Sequence, residues 1–148
     1  MNRQSQWKLR IADWQDDGPA LRAVREAVFV REQHVPSELE WDEFDANCIH
    51  VLATDAAGSA IGTSRLLADG MIGRMAVLKA WRGRGVGKAL LLHLLEEARK
   101  QHLPQVALHA QLHASEFYRM FGFEIRGEEF LEAGIPHISM ILKLPWKN

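Results

Sequence analysis

The chain has 148 residues, a net charge of −1 with histidines neutral, 47% hydrophobic and 25% charged residues. That length fits one domain with a real core, and the near-neutral balance argues against nucleic acid or an acidic membrane as partner. Cys48 is the only cysteine, so no internal disulfide can form, and it is expected to be a small buried hydrophobe near a strand.

In chain order, residues 7–14 alternate apolar and polar side chains and predict a first strand. Asp16-Asp17-Gly18-Pro19 then opens a helix, with acid and proline in its first turn. Leu21, Val24, Val28 and Phe29 form its apolar face, and Pro36 ends the region. Residues 37–47 are polar and expected to be irregular. Their acidic run, Glu38, Glu40, Asp42, Glu43 and Asp45, is either a solvated loop or a lure for a cationic amine.

Residues 48–54, 60–67 and 71–78 predict three consecutive strands. The turns Asp55-Ala56-Ala57-Gly58 and Ala68-Asp69-Gly70 make them an antiparallel meander. Residues 86–100 predict a helix with Leu90, Leu91, Leu94, Leu95 and Ala98 on its core face. A short strand follows at 106–110. Phe117 and Phe121 anchor another helix, which stops at Gly122, and strands at 123–126 and 137–144 close the sheet. Helices alternate with strands only in the second half, which implies an α/β (α+β) chain with a mixed sheet. No apolar run is long enough to span a bilayer and no signal core opens the chain, so a cytoplasmic protein is expected.

The chemistry concentrates in Arg82-Gly83-Arg84-Gly85-Val86-Gly87-Lys88, between the third meander strand and the leucine-rich helix. Strand, glycine loop, helix is an arrangement that holds phosphate. Glycines let the backbone approach an anion, and the free N–H groups of the first helical turn point at it. A P-loop would need glycine at Arg82 and a hydroxyl after Lys88, where Ala89 stands; a dinucleotide fingerprint would need glycine at Lys88. What remains is Arg-x-x-Gly-x-Gly over Arg82, Gly85 and Gly87.

That pattern resembles the pyrophosphate loop of the GNAT superfamily of N-acetyltransferases. A second segment, Ala114-Ser115-Glu116-Phe117-Tyr118-Arg119-Met120-Phe121-Gly122-Phe123, resembles the helix after that superfamily's fifth strand. Residues 24–36 and 127–140 resemble the first helix and the tail of an ElaA/YjcF-like subgroup. The resemblance implies one domain over 1–148, a GNAT-like, mostly antiparallel sheet and acetyl-CoA as cosubstrate. It implies that the backbone of Gly83 to Lys88 holds the pyrophosphate, with Arg82, Arg84 and Lys88 adding charge. Met75, Ala76 and Val77 would pair with the pantetheine arm, with an N–H near Val77 receiving the carbonyl oxygen. Gln111 stands where many relatives carry Asn, so an amide contact to the coenzyme is kept.

Tyr118 is the only tyrosine and the candidate acid for the leaving thiolate, because a phenol keeps its proton at neutral pH. The acceptor amine arrives protonated and needs a base. His137 is the candidate with a convenient titration range, alongside Glu32 and Glu40. His109 and His113 are four apart, but a strand-to-helix break between them argues against a metal site. The acceptor is expected to be a small-molecule or peptide amine; a homodimer is allowed. Two other readings stand beside the enzyme: a non-catalytic acyl-CoA-binding sensor, which would not need Tyr118, and a nucleotide-binding protein, which would prefer ATP to acetyl-CoA.

Overall fold

A computed structural model describes residues 6–144. Seven strands form one sheet in the order β1-β2-β3-β4-β5-β7-β6. They are β1 (Trp7–Ala12), β2 (Ile49–Asp55), β3 (Ala60–Leu66), β4 (Met71–Val77), β5 (Gln105–Gln111), β6 (Glu124–Glu132) and β7 (Ile135–Lys143). Every pairing is antiparallel except β4 with β5. The mixed, mostly antiparallel sheet expected from the sequence is therefore present. The meander strands match their expected bounds to within a residue or so at each end.

Helix α3 (Val86–Lys100) has the expected bounds, and Leu90, Leu91, Leu94, Leu95 and Ala98 are all buried in the main core. Alternation on β5 sends Val106, Leu108 and Ala110 into that same core, which leaves Ala107, His109 and Gln111 on the opposite face of the sheet. Helix α1 packs chiefly on β3 and α3 on β3, β2 and β4. Leu21 and Val24 bury the inner face of α1, as its spacing predicts.

Four local expectations are corrected. Helix α1 (Trp14–Arg25) begins earlier than expected, because the Asp13 carboxylate accepts the Gln15 N–H and caps it. Pro19 therefore lies inside the helix, not in its first turn. The helix then widens into π-type turns over Glu26–Glu32, which carry Glu32 and Gln33 toward the middle of the sheet. Cys48 precedes β2 and is half-buried, not fully enclosed; burial pushes its thiol up to about 11. The largest miss is β6. Its nine residues run to a two-residue turn at Ala133 (φ 51°) and Gly134 (φ 77°), the positive-φ pair of a tight hairpin. A bulge between Arg126 and Phe130 interrupts its pairing with β7, and the polar residues there hide the strand pattern.

Residues 37–47 are also more ordered than expected. They hold the short helix α2 (Ser37–Glu40) and a 3-10 turn at Asp45–Asn47. Glu40 and Asp45 are buried, and Arg25 is 0% exposed. Arg25 binds Glu40 at 2.8 Å and Asp45 at 2.7 Å. Arg65 binds Asp45 at 2.8 Å and Asp42 through both guanidinium nitrogens, and Arg74 reaches Glu40 and Asp42. Three acids thus meet three arginines. Burial pushes the Asp45 carboxyl up, but Arg25 and Arg65 more than offset it and hold it below its usual range. For Glu40 burial wins and the carboxyl is raised. The core of the acidic run is neither solvated nor free to attract an amine.

Candidate active site

Strands β4 and β5 pair only at Met71–Ala107 and Ile72–Leu108. Beyond those pairs they part. A bulge in β4 helps. Thr63 faces Ala76 and Arg65 faces Gly73, so Arg74 and Met75 together oppose Ser64 alone. Arg74 takes the strained φ of 49° that this requires. The result is a cleft of about 1180 Å³ that opens between β4, the end of α1 and the β5–β7–β6 part of the sheet. Met75, Ala76, Val77, Gln111, Tyr118 and His137 all line it. On β4, the Leu78 N–H donates to Ile61 O across the β3 side. Strand alternation then turns the Val77 N–H and C=O toward the cleft.

The glycine loop adjoins this cleft: Arg82 lines it, Gly87 lies beside its Val77 and Phe117, and the other loop residues stand outside its lining. Gly83 (φ 76°) and Gly85 (φ 86°) are left-handed, where a side chain is costly. Gly85 is the N-cap residue of α3, and no side chain among the described residues caps that end. The N–H groups of the first turn, at Val86, Gly87 and Lys88, are the helix's natural anion donors. Gly87 differs from the other two. A Cβ there would meet Phe117 and Val77 at 3.9 Å, an ordinary contact, so the fold itself does not require glycine at that position. Arg84 stacks on the Trp81 ring at 4.8 Å, and Lys88 is exposed. Arg82 behaves otherwise than expected: its side chain turns away from the helix end. It donates to Val77 O at 3.0 Å and makes a two-bond pair with Glu32 at 2.7 Å each. The loop's positive side-chain charge is therefore carried by Arg84 and Lys88.

Tyr118 is on α4 (Ser115–Arg119), wedged by edge-on contacts with Phe117 and Phe123. Its hydroxyl donates to Met75 Sδ at 3.5 Å, a weak bond across the cleft to the bulge. Burial pushes the phenol up to about 12, which keeps it protonated and suits an acid, not a base. The Gln111 amide makes reciprocal hydrogen bonds of 3.3 and 2.7 Å with Gln33, tying β5 to the π-type segment.

Of the expected base candidates, Glu32 is held below its usual range by the Arg82 hydrogen bonds and Glu40 lies in the buried arginine network. His137 is buried on β7, and its Nδ1–H donates to Ile135 O at 2.7 Å. Its Nε2 faces Glu132 Oε2 at 3.6 Å, and Glu132 Oε1 accepts from His109 Nδ1 at 2.9 Å. Glu132 and Gln33 escaped the sequence reading. The Ala133-Gly134 pair could have flagged Glu132 as a turn-flanking residue; nothing in the local sequence marks Gln33. Asp45, Cys48 and His50 bring potential ligand atoms within 4.8 Å of one another, yet Arg25 and Arg65 already occupy both Asp45 oxygens.

The family model described as an acetyltransferase (GNAT) domain matches residues 12–144. The chain is 38% identical over 122 residues to the uncharacterized N-acetyltransferase YjcF of Bacillus subtilis (strain 168), covering 80% of this chain and 86% of that protein. It is 36% identical over 130 residues to protein ElaA of Escherichia coli (strain K12), covering 82% and 84%. Among solved structures, an acyl-CoA N-acyltransferase from Pseudomonas aeruginosa superposes with a TM-score of 0.81 at 32% identity, over 92% of this chain and 99% of that one. Escherichia coli ElaA gives 0.80 at 32% identity over the same shares. No helix among the described residues is long and apolar enough to cross a membrane. With a match that spans β2 through β7, the glycine-capped α3 and the split between β4 and β5, the chain belongs to the GNAT acetyltransferase family, alongside ElaA and YjcF.

Proposed function

We propose that this protein transfers the acetyl group of acetyl-CoA to a primary amine of a small molecule or peptide, directly and within a ternary complex. The observation that carries this reading is one alignment. The glycine-lined start of α3 adjoins, at Gly87 beside Val77 and Phe117, a slot whose floor is the bulged β4, and the chain's sole tyrosine faces that floor.

The residues present fit the coenzyme. Val86, Gly87 and Lys88 offer backbone N–H groups to a diphosphate, and Gly87 leaves room for close approach. The coenzyme would supply the activated acyl group as a thioester. Met75 and Val77 present backbone on the open side of β4 for an extended arm. The Val77 N–H is the donor for charge that develops on the carbonyl oxygen. Tyr118 gives its proton to the leaving sulfur. The fold brings donor and acid to the same cleft, so the chemical step gains from orientation before any proton moves.

The test is calorimetric titration with coenzyme A, paired with Tyr118→Phe. The wild type is expected to give saturable heat. The variant should bind coenzyme A unchanged while turnover falls about a hundredfold or more. A silent Tyr118→Phe would remove the acid role, and a chain that binds coenzyme A yet releases no thiol with any amine would be a sensor, not an enzyme.

A further inference from the structure

We infer that Glu132, steadied by His109 and facing His137, is the docking and proton-accepting centre for the acceptor, and that the acceptor is therefore a cationic aliphatic amine. This deepens the acetyltransferase reading and rests on it.

Three glutamates line the cleft among the described residues: Glu32, Glu40 and Glu132. Glu32 is neutralised by Arg82 through two hydrogen bonds. Glu40 is neutralised by Arg25 and Arg74. Glu132 has no guanidinium partner among the described residues; its neighbours are two histidines. It is the cleft carboxylate whose negative charge remains available.

Its second oxygen, Oε2, lacks a donor. The His137 ring is fixed by the Nδ1–H bond to Ile135 O, so the neutral ring carries its lone pair on Nε2. That nitrogen faces Glu132 Oε2 at 3.6 Å, beyond a hydrogen bond. Two acceptors thus confront each other across a gap, and the His137 side chain is only 8% exposed. An ammonium group carries three N–H donors and can satisfy both at once. The aromatic face of Phe130 stacks on His137 and meets His109 edge-on, fixing both rings.

The proton route follows. The ammonium N–H bond breaks, the proton passes to Glu132 Oε2 beside His137 Nε2, and the electron pair stays on the amine nitrogen. That nitrogen forms the C–N bond, the C–S bond breaks, and the sulfur takes the Tyr118 proton. The phenolate regains a proton from the nitrogen of the new amide. One proton is left over. It leaves from Glu132, whose side chain is 47% exposed, directly to water. The balance is an ammonium plus a thioester giving an amide, a thiol and one released proton.

The experiment compares wild type, Glu132→Gln and Glu132→Asp by thiol release with acetyl-CoA. Putrescine, 2-phenylethylamine and a lysine-containing tripeptide serve as cationic acceptors, and aniline as one that arrives neutral. Glu132 is half-exposed at a hairpin end, so both variants should fold. The wild type is expected to prefer a cationic amine to aniline. Glu132→Gln should lower kcat/KM for that amine roughly tenfold or more and alter aniline by less than about threefold. Glu132→Asp should recover part of the loss, and the Kd for coenzyme A should stay unchanged in both. Retention of the cationic rate in Glu132→Gln, or a coenzyme-binding wild type that prefers aniline, overturns the inference. Failure to bind coenzyme A at all overturns the acetyltransferase reading instead.

Discussion

Two acidic centres reach the same cleft, one through Glu40 and one through Glu132, and they serve opposite ends. Glu40, Asp42 and Asp45 each meet two of the three arginines Arg25, Arg65 and Arg74. Glu132 lies on the far wall with two histidines and no arginine among the described residues. The first group is enclosed and self-neutralised, so it fixes shape. The second is half-open and keeps its charge, so it can act on a ligand. In a linear sequence the acidic run is conspicuous and Glu132 is not. The structure reverses that ranking, because partners and burial, not the density of acids, decide which charge is available.

That contrast can be broken hardest at Arg25. Arg25→Ala leaves Glu40 and Asp45 buried without their shared partner and should cost about 3–5 kcal/mol of stability, measured by denaturant unfolding. Glu132→Gln should cost no more than about 0.5 kcal/mol in the same measurement. If the two losses were similar, the division into a structural group and a functional group would fail.

Acid sharpens the same division. Asp42 and Asp45 have folded values below the ordinary 3.8. For each, burial acts upward and the arginines outweigh it. Their stabilising contribution is complete above 3.8 and is lost as the pH falls through the lowered folded values. Glu40 is raised above 4.5, so protonation favours its folded state and partly offsets that loss. Tm is therefore expected to change little down to about pH 4 and to drop below it.

A smaller effect separates glycines that the chain requires from one reserved for a ligand. Gly85→Val forces a branched side chain into φ 86° and should cost about 1–3 kcal/mol. Gly87→Ala meets only ordinary contacts and should leave stability unchanged or raised by about 0.5–1 kcal/mol. It should nevertheless weaken coenzyme A roughly tenfold or more by crowding the diphosphate. Calorimetry and thermal melts on both variants decide the matter.

Much of the fold was legible because its signals are local. The meander has turn residues at each reversal, and α3 has a leucine stripe of helical period with the glycine loop ahead of it. The loop and Tyr118 were legible for the same reason, since each belongs to a short motif. The rest depends on distance in sequence. Arg25 meets acids 15 and 20 residues away, and Arg82 meets Glu32 across 50. No periodicity announces such pairs. The Arg82 side chain in particular belongs to the motif by sequence but to the π-type segment after α1 by contact, which spacing alone could not reveal. β6 was shortened for a different reason: its bulge breaks the two-residue period on which strand recognition depends.

The Gln33–Gln111 amide pair joins positions 78 residues apart. Each bond is neutral and partly buried, so parting them costs on the order of 1 kcal/mol apiece. A guest that carries its own amides can replace those bonds like for like as it threads the slot. The pair thus ties the π-type segment after α1 to β5 by a contact whose chemistry is interchangeable with that of an amide-bearing ligand.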